Sequence, residues 1–158
     1  MEVNILIEEG IEVELEAEWM QAIIERVLVS ENLPPAIEIS LLITGQERIQ
    51  ELNREYRGKD RPTDVLSFSM SEQKQQEESI PFIGPPDGML HLGEVIISYP
   101  QAQVQANEHR HSIKKEMAIL IVHGVLHILG YDHEKMEMEP AMKAKEKKIL
   151  SELEKEIG

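Results

Sequence analysis

Ile37-Glu38-Ile39-Ser40-Leu41-Leu42-Ile43-Thr44-Gly45-Gln46-Glu47 changes its period half-way along. Ile37, Ile39, Leu41 and Ile43 alternate with period two, the pattern of a strand with one buried face. Thr44 and Glu47 then stand three apart in the form of a capping box. Ile49, Leu52 and Tyr56 follow at helical spacing, to about Arg57. A strand is therefore predicted to run straight into a helix. The same mixture extends to both sides. Val3 to Glu8 reads as a strand, and Glu18 to Ser30 as an amphipathic helix through Trp19, Ile23, Val27 and Leu28. Leu33-Pro34-Pro35 is a stiff break between them and the opening segment. Downstream, Arg57 to Pro62 is a loop by composition and Asp64 to Met70 is strand-like. Ser71 to Gly88, rich in Gln, Glu, Pro and Gly, reads as a polar loop. Leu90 to Ser98 resumes strand character, with Val95, Ile96 and Ile97 suggesting burial on both faces. Pro100 suits the first turn of a further helix. Ser112 is placed to cap a long apolar helix ending at Gly130, and a last helix runs from about Glu139 to Glu156. There is no internal repeat and no composition break, so residues 1–158 read as one α+β domain.

Composition sets the chemistry that is available. A chain of 158 residues, 41% hydrophobic and 29% charged, supports one ordinary core. No apolar run is long enough to cross a bilayer, so no membrane partner is expected. The first ten residues carry Glu2, Glu8 and Glu9 with no Lys or Arg, unlike a secretory leader, which makes a cytoplasmic location the expectation. Cysteine is absent, which excludes disulfides, thiolate metal sites and cysteine nucleophiles. Any metal must be held by His, Asp or Glu. The net charge of −14 disfavours a generally basic nucleic-acid surface and requires any such contact to be local.

The histidines are the chemically informative feature. In His123-Gly124-Val125-Leu126-His127-Ile128-Leu129-Gly130-Tyr131-Asp132-His133, the first two imidazoles stack one helical turn apart. Gly130 can end the helix, and His133 can then swing back as a third ligand to the same cation. Three neutral nitrogens with an open position form a catalytic zinc-type site, with zinc the expected divalent metal. Three imidazoles also suit nickel, copper or iron. Asp132 is either an acceptor that orients a ligand imidazole or a turn residue bonding its own backbone. The spacing also matches the metzincin protease motif. That motif needs Glu directly after the first His as general base, and Gly124 stands there instead, so peptide hydrolysis loses its proton acceptor.

The segment HGVLHILGYDH resembles the signature of the YbeY family, bacterial rRNA maturation factors and metal-dependent endoribonucleases. Tyr56 to Phe68 (YRGKDRPTDVLSF) and Leu92 to Ser98 (LGEVIIS) match two further blocks in the same order. The resemblance implies a mixed sheet backed by helices and a metal held by His123, His127 and His133. It implies a role for Arg57 beside that metal, and action on single-stranded RNA. That action lies in maturation of the small-subunit rRNA 3′ end and in ribosome quality control, with an rRNA precursor, the ribosome and assembly-factor proteins as partners. Two departures stand out. Glu94 replaces the usual Asp, and Ser69 follows Phe68 where Pro is usual.

On this reading Arg57 is the catalytic candidate, because a guanidinium forks onto phosphate oxygens as charge develops. Asp64 and Glu94 are strand-edge carboxylates that could face the cleft and accept a proton. Lys59 and Arg61, with Arg54, are candidate RNA contacts, and Arg110, Lys114 and Lys115 form a second cluster. His109 and His111 add charge in acid. Two alternatives remain in view: a ribosome-assembly factor with a structural metal, and a metallohydrolase of another bond.

Overall fold

A computed structural model describes residues 1–70, 89–130 and 139–157. The described residues form four strands and five helices. In chain order these are β1 (Glu2–Ile7), α1 (Ala17–Ser30), β2 (Ile37–Thr44), α2 (Gln46–Arg57), β3 (Val65–Ser69), β4 (Leu90–Ser98), α3 (Tyr99–Glu108), α4 (Ile113–Ile128) and α5 (Glu139–Ile157). The expected polar loop at residues 71–88, and Asp132 and His133, lie outside the described residues.

The sheet order is β1-β2-β4-β3. β1, β2 and β4 are parallel, and β3 runs antiparallel to β4, so the sheet is mixed. The period-two reading of β2 holds: Ile37, Ile39, Leu41 and Ile43 are all buried. They join Val95, Ile97 and the apolar stripes of α1, α4 and α5 in the main core. Leu66 and Ile96 point to the opposite face, where Ile49 and Leu52 of α2 cover them in a smaller core. β4 is thus buried on both sides, as Val95-Ile96-Ile97 indicated.

α4 is the central helix. It packs on α1, α3, α5, β3 and β4, and ten of its residues are buried. Ser112 caps it, its Oγ accepting from Lys115 N at 3.1 Å. Pro100 lies in the first turn of α3, where its missing N–H costs nothing. The expected capping box at α2 does not form. Thr44 is buried at the end of β2 and donates its hydroxyl to Glu8, whose carboxylate also accepts from Gly45 N at 3.2 Å. The tertiary acceptor from beyond β1 out-competes the local cap, and Gly45 becomes the N-cap residue.

Gly124 is buried where α4 crosses the sheet. A Cβ there would lie 2.6 Å from Val95 Cγ1 and 3.3 Å from Val65 Cγ2. Close helix-to-sheet approach therefore explains the glycine at this position. It also brings the helix against the middle of β3, where Ser67 Oγ donates to the Gly124 carbonyl at 3.0 Å.

Candidate active site

A cleft of about 710 Å³ opens between the end of α2, the start of β3, and the exposed faces of α3 and α4. Each wall has a local cause. α2 ends at Gly58 in the left-handed region (φ 72°), which a glycine adopts without Cβ strain, and its N–H returns to Arg54 O at 3.2 Å. This leaves exposed Arg57 on the last turn, at the cleft rim. The loop that follows is pinned by buried Asn53, whose Nδ2 donates to Arg61 O at 2.9 Å. Lys59 and Arg61 are thereby set on the same rim. Asp60 pairs with Arg54 at 3.4 Å, and neither residue lines the cleft.

α4 supplies the floor. Glu116, Leu120, His123 and His127 follow one another at three or four residues and all line the cleft. His123 Nδ1 is 2.9 Å from Glu146 Oε1 of α5. A carboxylate on Nδ1 fixes the ring and leaves Nε2 as its metal-binding nitrogen, the usual support of a ligating imidazole. The donors present therefore fit a cation held by His123 and His127. Two imidazoles on one helix face, one of them oriented by a carboxylate, are two of the three protein ligands that such a site takes.

Asp64 does line the cleft, but its carboxylate is engaged. Oδ1 accepts from Val65 N at 2.8 Å and Thr63 Oγ1 at 3.3 Å, and Oδ2 from Gln105 Nε2 at 3.3 Å. Its position is that of a residue securing the start of β3. Glu94 is a correction to the sequence reading. It is absent from the cleft lining and has the strand parity of Ile96, on the α2 side of the sheet. Burial raises its carboxyl above the ordinary range, and the Arg48 guanidinium of α2 opposes that rise. Lys114 and Lys115 also lie away from the cleft. They line a separate groove between α1, α4 and α5, where Lys114 Nζ sits 5.3 Å from the Trp19 ring centroid.

A second cluster adjoins the first. Glu116 is 2% exposed. Its Oε1 meets His109 Nδ1 at 2.9 Å and His111 Nε2 at 2.7 Å, and its Oε2 accepts from Gln105 Nε2 at 3.2 Å. Burial alone would push the Glu116 carboxyl up. Hydrogen bonds from His109, His111 and Gln105 and the nearby His109 charge hold it below the ordinary value instead. These three side chains could hold a metal ion. Sequence reading passed over Glu116 and Glu146. The available signal was a carboxylate on each helix's buried stripe: Glu116 beside Leu120, and Glu146 between Met142 and Ile149.

The family model for Endoribonuclease YbeY matches residues 4–154. The chain belongs to the YbeY family. An Endoribonuclease YbeY of Dehalococcoides mccartyi strain CBDB1 is 46% identical over 146 residues, covering 91% of this chain and 88% of that protein. The YbeY endoribonuclease of Geobacillus thermodenitrificans is also 46% identical, over 134 residues and 85% of this chain. The solution structure of TM1509 from Thermotoga maritima superposes with a TM-score of 0.61 at 26% identity, covering 98% of this chain. YbeY relatives carry the name of endoribonucleases, hydrolases of the phosphodiester bond. No helix among the described residues is long and apolar enough to cross a membrane.

Proposed function

We propose that this chain is a metal-dependent endoribonuclease for single-stranded RNA, acting in the cytoplasm on the 3′ end of small-subunit rRNA precursors and in ribosome quality control. The observation that carries the reading is the convergence of Arg57, His123 and His127 on one cleft, from two elements far apart in sequence. A bound divalent cation, zinc being the expected one, would supply Lewis-acid chemistry at the phosphodiester. His123 and His127, with His133 as the proposed third ligand, are the residues to hold it. The chain's own groups do the rest. Arg57 binds a nonbridging phosphate oxygen and is matched to the charge that grows there in the transition state. Lys59 and Arg61 hold the flanking backbone on the same rim. Glu146 keeps the His123 ring in register, and Asp132 is a further candidate for orienting a ligand.

The charge balance supports a substrate presented by the ribosome or its assembly proteins. A chain of net charge −14 with a few local cations binds free RNA weakly and with strong salt sensitivity. Tethering to a larger particle raises the effective concentration. Cleavage of single-stranded RNA by wild type, Arg57→Ala and His127→Ala, purified identically, tests the reading. Cutting by wild type alone supports it. Equal cutting by all three assigns the activity to a contaminant, and cutting by none favours an assembly factor with a structural metal.

A further inference from the structure

We propose that His109, His111 and Glu116 form a second divalent-cation site, separate from the one centred on His123 and His127. Three observations lead there. The first is composition: two imidazoles and one carboxylate are the donor set of a facial triad, which takes zinc, manganese or ferrous iron and leaves positions open. The second is spacing. Donors about 2.1 Å from a cation and at right angles to one another stand about 3.0 Å apart. Here His109 Nδ1 and His111 Nε2 lie 2.9 and 2.7 Å from the same Glu116 oxygen, and the ligand atoms of all three lie within 4.8 Å of one another. The third is how the chain brings them together. Arg110 adopts a left-handed φ of 56°, uncommon for a residue with a Cβ. That turn folds His111 back toward the residue that His109 already reaches, and their ring centroids come within 5.4 Å.

The site is distinct from the first. Glu116 and His123 are seven residues apart on α4, roughly 10 Å along its axis, whereas paired catalytic metals lie about 3.5–4 Å apart. Its open side is toward solvent in the cleft, because His109 and Glu116 both line it. Gln105 holds the free Glu116 oxygen and bridges to Asp64, so the carboxylate is fixed from behind. An ion here adds positive charge to the cleft floor of a strongly acidic chain. Its value for holding a phosphate strand rests on the nuclease reading; the binding of the ion does not.

The experiment counts zinc bound per chain after dialysis of the full-length protein against Zn2+. Wild type, His109→Asn, His127→Ala and the double variant are compared. The His109 side chain is 55% exposed, so its replacement spares the packing. The expected result is a loss of one ion in each single variant and of two in the double. Visible absorption of Co2+ bound to His127→Ala, abolished in the double variant, marks true coordination. If His109→Asn holds as much zinc as wild type, the triad is a hydrogen-bonded cluster and the proposal is overturned, whatever His127→Ala does. If His109→Asn loses an ion while His127→Ala loses none, the second site stands and the first metal assignment fails.

Discussion

His123 on α4 and Glu146 on α5 meet at 2.9 Å, Nδ1 to Oε1, across the interface of the two helices that also buries Met142 and Ile149. The contact joins the floor of the cleft to the last helix of the chain. It makes the geometry of a candidate metal ligand depend on a residue 23 positions away.

Replacing Glu146 by Ala is expected to lower zinc affinity about 10- to 100-fold, the usual cost of removing the partner of a ligating imidazole. Competition with a chromogenic chelator measures it, and circular dichroism checks that the fold persists. Unchanged affinity would show that the carboxylate does not position the ring.

Arg57→Ala is expected to cost about 3–4 kcal/mol of transition-state stabilisation, a loss of roughly 10²–10³ in the cleavage rate of single-stranded RNA. Arg57 is exposed at the helix end, so stability and metal content should be unchanged. Arg57→Lys should recover little, because an ammonium lacks the two-pronged donor geometry.

Gly124→Ala is expected to destabilise the protein by about 1–3 kcal/mol through overpacking. The added methyl meets Val95 Cγ1 at 2.6 Å. Val95→Ala in the same chain should recover part of the loss, which urea denaturation of the two single variants and the double variant would reveal as coupling.

Glu94 gives a pH test with a definite sign. Burial raises its carboxyl in the folded chain above the unfolded value, with Arg48 partly opposing this. The native state then binds more protons in the window between the two values, so this group's contribution to stability falls as pH rises through it. Glu94→Gln should therefore stabilise the protein above that window and have no effect below it. Urea midpoints at neutral pH and in the acid range measure the difference. A gain that is the same at both pH values would rule out the titration as its cause.

Period and punctuation determined most of the fold. The alternation in β2, the proline in the first turn of α3 and the Ser112 cap each act within a few residues, so they are legible in the linear chain. The stacking of His123 and His127 is equally local, set by helical pitch alone. Long-range relationships could only be decided by the folded chain. Thr44 abandons its local cap because Glu8 arrives from beyond the neighbouring strand. Glu94 goes to the far face because one face of β4 packs on α4 and the other on α2, and the parity of a strand does not say which is which. Glu116 and Glu146 stand on their helices' buried stripes, but the chain order does not show that His109, at the end of α3, meets Glu116, or that α5 packs Glu146 against His123. Sequence determines which groups share a helix face; tertiary packing decides which charges find partners there, because burial makes a carboxylate's stability depend on neighbours that the chain order does not show.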